Sequence, residues 1–551
     1  MGRSLLPPTH LPSLPPTAYN PTPTTQVPRY HPGDLAGRSL TLPRAILLAA
    51  LPLVGWWLTG LFDLDEGFYG AIAAEMNRRG EWVTPYYNGS PWFEKPVLLY
   101  WLGKISIGLF GFDFGPRLPA VLSTLATIAI VGVWAEKRLR TGSGPLAALI
   151  LGSSLLPAAL GRMMMTDPPL VLCMTVAFLG YWEALRRPWC LVAVGLALGV
   201  GVLAKGPVAL LLFVPPVIYL AVVSRERRGI LIFLVGSAFG FVAFASIGLG
   251  RVVPIWTCVV AFFVLISTSI VLENYGSKLY SERRKIGLAP TTAWVTLIAA
   301  IALWYLPAYN VNGQTFVQKF LIEQNLGRFS GGDEAHSLGL ASLPLYIPIV
   351  LLGMIPWSGW LWNAWRNRAD EDRRRGYLWA WAGTVFIFFS ISGAKLPHYM
   401  LPLFPPLALL VADRLTEKRW AMKLALGMTL FMTVFANVGF YAWYRLSGQQ
   451  EAHRLVRRED VRKAPEVALY QIGRREAGKG TGGTKILETS LPSVIMYLDR
   501  VALDIEEPEG LAELPQGTMV FTRTGRIEKP ETYSLQPVEV GVNYVLYRKS
   551  R

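Results

Sequence analysis

The stretch Leu61–Trp101, LFDLDEGFYGAIAAEMNRRGEWVTPYYNGSPWFEKPVLLYW, follows directly on an apolar run, Pro43–Leu61, that is long enough to enter a bilayer. It places Asp63, Asp65, Glu66, Glu94 and Lys95 among a crowd of aromatic residues just where the chain leaves the apolar phase. Ionisable groups at membrane depth are costly and usually functional. The reading of this loop therefore decides both the topology and the activity to be expected.

Composition sets the class. Of 551 residues, 52% are hydrophobic and only 16% charged, against about a quarter charged in soluble domains. Apolar runs near the length of a span recur along the chain, which points to an all-α polytopic membrane protein. The net charge of +16 is accounted for by Lys and Arg collected in loops on one side of the membrane, so no nucleic-acid partner is expected. Cys173, Cys190 and Cys258 lie in or beside apolar runs without metal-ligand spacing. Residues 1–42, rich in Pro and Thr, cannot bury a core and read as a disordered cytoplasmic tail, with the first apolar run kept as a permanent span.

The basic clusters Glu136–Arg140, Arg186–Arg187, Ser224–Gly229, Ser281–Lys285, Arg366–Arg375 and Asp413–Lys423 each separate two apolar stretches. Placing them all in the cytoplasm satisfies the positive-inside rule. Between the tail and Glu136 lie three apolar runs, Pro43–Leu61, Val97–Phe112 and Leu118–Trp134. Equal sidedness of the two basic ends requires an even number of crossings. The shortest run, which contains Lys104, is therefore read as an interfacial helix in the first outer loop. Spans then alternate over 145–160, 168–184, 189–204, 208–223, 230–249, 255–272, 288–307, 344–362, 377–392, 400–412 and 420–445. That makes about thirteen crossings of the bilayer, with the transmembrane domain at 43–446 and the C-terminus outside. Residues 447–551 lose the apolar character. TKILETSLPSVIMYLDRVALDIEE, GTMVFTRTG and VNYVLYRKS read as short strands and a helix between Gly and Pro turns, a small α/β periplasmic domain.

With this orientation the remaining charges fall on the outer face: Asp65 and Glu66, Glu94 and Lys95, Asp167 in GRMMMTDPP, Lys205 in LAKGPVA, Arg328 in EQNLGRFSGGDEAH, and Lys395 and His398 in SGAKLPHYM. Each sits near a helix end beside Pro or Gly. Lys95, Lys205, Arg328 and Lys395 are of the type that holds a phosphate through charge-assisted hydrogen bonds, and the acids can orient or deprotonate an attacking hydroxyl or amine. Plainer roles compete: Asp65, Glu66 and Asp167 as helix starts, with Asp167 ahead of two prolines; Lys205 as a snorkelling side chain; and Lys395 and Arg328 as interfacial anchors.

At these residues the chain resembles the GT-C glycosyltransferases, especially the bacterial aminoarabinose transferases and the related protein O-mannosyltransferases. The resemblance rests on DEGFYGAIAAEM, WFEKPVLLYW, MMTDPPL, AKGP, EQNLGRF, MIPWS and GAKLPHYMLPLFPPLALL, in that order, and spans about residues 43–445. It implies transfer of a sugar, with inversion, from a polyprenyl-phosphate carrier to an acceptor on the periplasmic side of the inner membrane. Asp65 is implied as the catalytic carboxylate and Asp167 as support for acceptor or catalytic geometry. Glu94 and Lys95 match the Glu-Lys-Pro element, Lys95 and Arg328 would contact the carrier phosphate, and Tyr346 matches a Tyr near it. Two departures stand out. EQNLGRF offers Gln324 and Asn325 where a His commonly precedes Arg-Phe, which weakens a divalent metal beside Glu94, although His336 is not far along the chain. Trp92 stands where a Tyr is common.

The expected partners are a polyprenyl-phosphate sugar donor, membrane lipids, and lipid A, another glycolipid or a protein as acceptor, with 4-amino-4-deoxy-L-arabinose as the candidate sugar. A protein O-mannosyltransferase is the nearest alternative. A transporter would need polar groups midway along discontinuous spans in repeated halves, and neither is found in the sequence.

Overall fold

The computed structural model describes residues 40–224, 289–327, 344–366, 373–392, 395–472 and 491–550. The tail 1–42 (all but its last residues), the spans read at 230–249 and 255–272, Arg328 and His336 lie outside them. Residues Thr41–Arg551 form one compact unit.

Among the described residues three helices are long and apolar enough to cross a membrane: Leu118–Arg138, Ala289–Gln324 and Trp420–Leu446. Several runs read as single spans are subdivided. The run at 344–362 is a pair of helices, Tyr346–Gly353 and Ser358–Arg366, bent by 109°, with Pro356 in the break. The run at 145–160 splits at Ser154 into Ser143–Ser153 and Leu155–Leu160. The run at 400–412 is a 3-10 segment, Pro397–Leu403, leading into the helix Phe404–Leu415. Proline explains each break: Pro157, Pro356 and Pro402 cannot donate to the preceding turn. The first run is likewise short, with helix only over Leu42–Ala49 before a tight turn at Leu51–Leu53.

Other helices begin and end where their residues dictate. Pro168 and Pro169 occupy the first turn of Asp167–Ala184, where a missing N–H costs nothing. Gly206, at φ 78°, closes Cys190–Lys205. Gly80, at φ 69°, closes Asp65–Arg79 with its N–H on the carbonyls of Met76 and Asn77. The run read as interfacial forms the helix Leu98–Phe114, and its Lys104 donates to the Glu81 carbonyl at 2.8 Å while lying over the Trp82 ring.

The helices carry two chemically different ends. At one, Arg138 pairs with Glu183, Arg140 with Glu417, and Arg375 Nε with Asp413 Oδ2 at 2.7 Å. At the other lie the first residue of Asp167–Ala184 and the last of Arg373–Ile391. The 18 residues of the former helix separate the two ends by roughly 27 Å at 1.5 Å per residue. Arg138, Arg140 and Arg375 thus share one end, and Asp167 and Lys395 lie at the other.

The C-terminal part holds a five-stranded sheet in the order Leu503–Ile505, Val467–Tyr470, Met519–Arg523, Tyr544–Lys549, Leu535–Val540. The first three strands are parallel and the last two antiparallel to their neighbours. Val467–Tyr470, a central strand buried at every position, reads as an uninterrupted apolar run, as such strands do. The helix Pro492–Leu498 crosses between two parallel strands and packs on Asp65–Arg79, so that sheet and first outer loop share one core, with Ile72, Met76, Val494 and Met496 fully buried.

Candidate active site

The loop Leu61–Trp101 is held by a buried ion pair. Glu66, 1% exposed, accepts from Arg117 Nε at 2.8 Å and Nη2 at 2.7 Å, and from the N–H groups of Phe62 at 3.0 Å and Met164 at 2.6 Å. Arg117 spends its other donors on the carbonyls of Trp56, Thr59 and Gly60 and on Thr59 Oγ1. A carboxylate with four donors is satisfied, so Glu66 is a clamp and not an acceptor ligand. Its bond to Met164 ties the first acidic loop to the one that carries Asp167. Arg117 escaped the sequence reading. Its signal was present: a lone Arg between two apolar runs, outside every basic cluster.

Asp65, the next residue up, opens the helix Asp65–Arg79 and is exposed. No side chain among the described residues bonds to it, and the helix N-terminus favours its charge. Asp63 turns the other way. It accepts from Ser493 N at 2.8 Å and Ser493 Oγ at 2.6 Å, and burial pushes its carboxyl up to about 7.

Asp167, 1% exposed, receives Lys205 Nζ on Oδ1 at 2.5 Å, and His398 Nε2 stands 4.0 Å from Oδ2. Lys205 also lies 4.4 Å from the Tyr399 ring centroid. His398 is pushed down to about 4 by burial, against the pull of Asp167, and it further feels Lys205, Asp65 and Lys95. It is therefore neutral near pH 7, and among the described residues Lys205 is the cation paired with Asp167. Asp65 and Lys95 of the loop Leu61–Trp101, together with Asp167 and Lys205, all bear on the His398 ring. Glu94 and Lys95 are half-buried in the connection between the two-stranded ribbon Tyr86–Pro91 and the helix Leu98–Phe114.

Two expected phosphate ligands have other tasks. Lys395 Nζ donates to the carbonyls of Phe389, Ser390 and Ser392, which uses all three of its protons to cap the helix Arg373–Ile391. The Tyr346 hydroxyl donates to Leu396 O at 3.2 Å and accepts from Leu396 N at 3.1 Å. Both fix the strap that carries His398. Among the described residues no three His, Cys, Asp or Glu side chains gather as metal ligands.

The chain matches the family model of dolichyl-phosphate-mannose-protein mannosyltransferases over residues 94–248. An undecaprenyl phosphate-alpha-4-amino-4-deoxy-L-arabinose arabinosyl transferase of Edwardsiella ictaluri is 31% identical over 380 residues, 67% of this chain and 57% of that protein. Its namesake from Pectobacterium carotovorum is 30% identical over 71% of this chain and 63% of its own length. The chain thus spans less than two thirds of these relatives. The crystal structure of ArnT from Cupriavidus metallidurans bound to undecaprenyl phosphate superposes with a TM-score of 0.64 over 92% of this chain and 98% of that one, at 18% identity. The chain has the fold of that ArnT structure and is similar in sequence to the aminoarabinose transferases. Five of the motifs that carry the resemblance, or their flanks, supply Asp65, Lys95, Asp167, Lys205 and His398, and the first four all bear on the His398 ring.

Proposed function

We propose that this chain is an inverting glycosyltransferase that moves a sugar, with 4-amino-4-deoxy-L-arabinose the leading candidate, from a polyprenyl-phosphate carrier to lipid A or a related envelope glycolipid. It acts at the periplasmic face of the inner membrane, with about thirteen crossings, the N-terminus cytoplasmic and the sheet domain outside. The observation that carries the reading is the cluster in which Lys205 Nζ meets Asp167 Oδ1 at 2.5 Å and His398 Nε2 stands 4.0 Å from Oδ2, at the end of the bundle away from Arg138, Arg140 and Arg375.

The roles follow from environment. Asp65, exposed and bonded to no side chain among the described residues, orients or deprotonates the attacking group. Lys95, with Arg328, offsets the charge that grows on the departing carrier phosphate, and Glu94 belongs to the same element. Asp167 is committed to Lys205, so the pair acts by shaping the site and by presenting one cation edge to the phosphate. Neutral His398 packs against them and donates or accepts a hydrogen bond. A divalent metal is not needed for this account. The match over 94–248 to the mannosyltransferase model favours polyprenyl-phosphate mannose and a protein acceptor as the second reading.

The test is to incubate purified protein with polyprenyl-phosphate aminoarabinose and polyprenyl-phosphate mannose, together with lipid A and a mixture of secreted proteins, and to follow mass gain. A pentosamine on lipid A supports the first reading and a hexose on protein the second. No mass gain with any donor, from protein that binds the carrier, sinks both.

A further inference from the structure

Away from the His398 centre, on the far side of the Asp63–Leu64 connection, lies a second polar space. A cavity of about 240 Å³ opens between that connection, the start of the helix Gln449–Val456 and two strand ends, and is lined by Asp63, Ser447, Gln449, Arg523, Asn543 and Tyr544. Its volume is far above the roughly 30 Å³ share of one water and just below the roughly 300 Å³ at which pockets for drug-sized ligands begin. One sugar ring with a charged substituent is the scale it suits.

Its polar groups are incompletely used. Gln449 is only 6% exposed, yet its Oε1 has no hydrogen-bond partner among the described residues, and Arg523 Nε is likewise enclosed and without one among them. Among the described residues no carboxylate pairs with Arg523. A buried donor or acceptor without a protein partner is costly, and these two, of opposite kind, belong to side chains that line one space. The acceptor Oε1 calls for a hydroxyl or amine proton. The guanidinium calls for a carboxylate or phosphate, which its fork of donors matches. Asp63 adds a carboxyl already held by Ser493 and, at 3.4 Å, by Gln449 Nε2. Burial raises that carboxyl to about 7, so at or below neutral pH it offsets only part of the Arg523 charge. Glu451, the nearest acid on the helix, is taken by the N–H groups of Asn543 and Tyr544 and by Asn543 Nδ2. The balance in the cavity is therefore cationic.

We propose that this cavity binds an anionic monosaccharide unit, with Arg523 on its carboxylate or phosphate and Gln449 Oε1 on a ring hydroxyl. Resting on the transferase reading, the unit is a non-reacting sugar of the acceptor glycolipid, held by the C-terminal sheet while the reacting group meets Asp65. Leu64 lines the cavity and adjoins Asp65, so occupancy and the catalytic loop share one stretch of backbone.

The experiment uses the full chain in detergent and no polyprenyl donor, so that it reads binding apart from transfer. Glucuronate, glucose 1-phosphate, neutral glucose and inorganic phosphate are titrated by calorimetry. Saturable binding of both anionic sugars is expected, at least tenfold tighter than glucose or phosphate alone. Arg523→Gln should weaken it tenfold or more, and Gln449→Leu should weaken the sugars but not phosphate. Arg523→Lys, which keeps the charge, serves if the Gln variant does not fold, with an intermediate loss expected. Competition by lipid A micelles assigns the occupant to a glycolipid headgroup, and its absence to a free sugar acid. Equal affinity for glucose, unchanged affinity in Arg523→Gln, or no saturable binding of any probe overturns the site. Transfer assayed separately with donor present tests the catalytic reading, whatever this titration gives.

Discussion

Lys205 Nζ lies 2.5 Å from Asp167 Oδ1, so the last residue of one helix neutralises the first residue of another. Each charge also suits its position, a cation at a C-terminus and an anion at an N-terminus. The pair is nearly closed to solvent, with side-chain exposures of 11% and 2%, and neutral His398 cannot stand in for the cation.

Lys205→Met should therefore strand Asp167. Removing one partner of a buried pair costs about 3–5 kcal/mol, so the thermal midpoint of the purified protein should fall clearly. Asp167→Asn in the same chain relieves the unpaired charge and should restore most of the midpoint, yet transfer should remain at least tenfold below that of the parent. Full activity in the double variant would reduce the pair to a fastener between helices.

Asp65→Asn should do the reverse. The side chain is exposed and bonded to nothing among the described residues, and such surface changes usually stay within about 0.5 kcal/mol. Turnover should drop by about a hundredfold or more, within the range a general base contributes, while the thermal midpoint and carrier affinity hold. Normal turnover would remove Asp65 from the chemistry.

Neighbouring acids thus separate into function and framework, and the sequence alone could not divide them. The loop Leu61–Trp101, the start at Asp167-Pro168-Pro169 and the stop at Lys205-Gly206-Pro207 were readable because caps, prolines and apolar runs act locally. Which carboxylate of Asp63, Asp65 and Glu66 would meet Arg117, Ser493 or open space depends on contacts as distant as 51 and 430 positions along the chain, which no local pattern encodes. The same applies to Lys395, whose partners are helix-end carbonyls visible only once Arg373–Ile391 stops at Ile391. The strands Val467–Tyr470 and Leu535–Val540 were passed over because one is four residues long and the other is broken by Pro537.

Glu66→Gln should expose this division experimentally. The amide keeps shape but loses the charge that compensates Arg117, a side chain 2% exposed. A loss of about 3–5 kcal/mol is expected, seen as a lowered thermal midpoint or poor recovery from membranes. Glu66→Gln with Arg117→Met should recover part of it, because replacing both partners by apolar or neutral groups is often tolerated. A single variant as stable as the parent would show that the ion pair does not hold the two acidic loops together.

Asp63 gives the last prediction, one of pH. Its carboxyl rises from the ordinary 3.8 to about 7, chiefly through burial and partly through Glu66, against the two bonds from Ser493. Below about 4 the group is protonated whether the chain is folded or not, and adds no pH dependence. Between 3.8 and about 7 the folded state holds a proton that the unfolded state has released, so raising the pH weakens folding throughout this window. Above about 7 both states are ionised and the penalty is complete. Asp63→Asn removes the titration but keeps a side chain that can accept from Ser493. Its thermal midpoint relative to the parent should therefore climb from pH 4 to pH 7 and then level off. A difference that stays flat, or falls, across that interval would mean that the Ser493 bonds outweigh burial and that Asp63 is ionised where it sits.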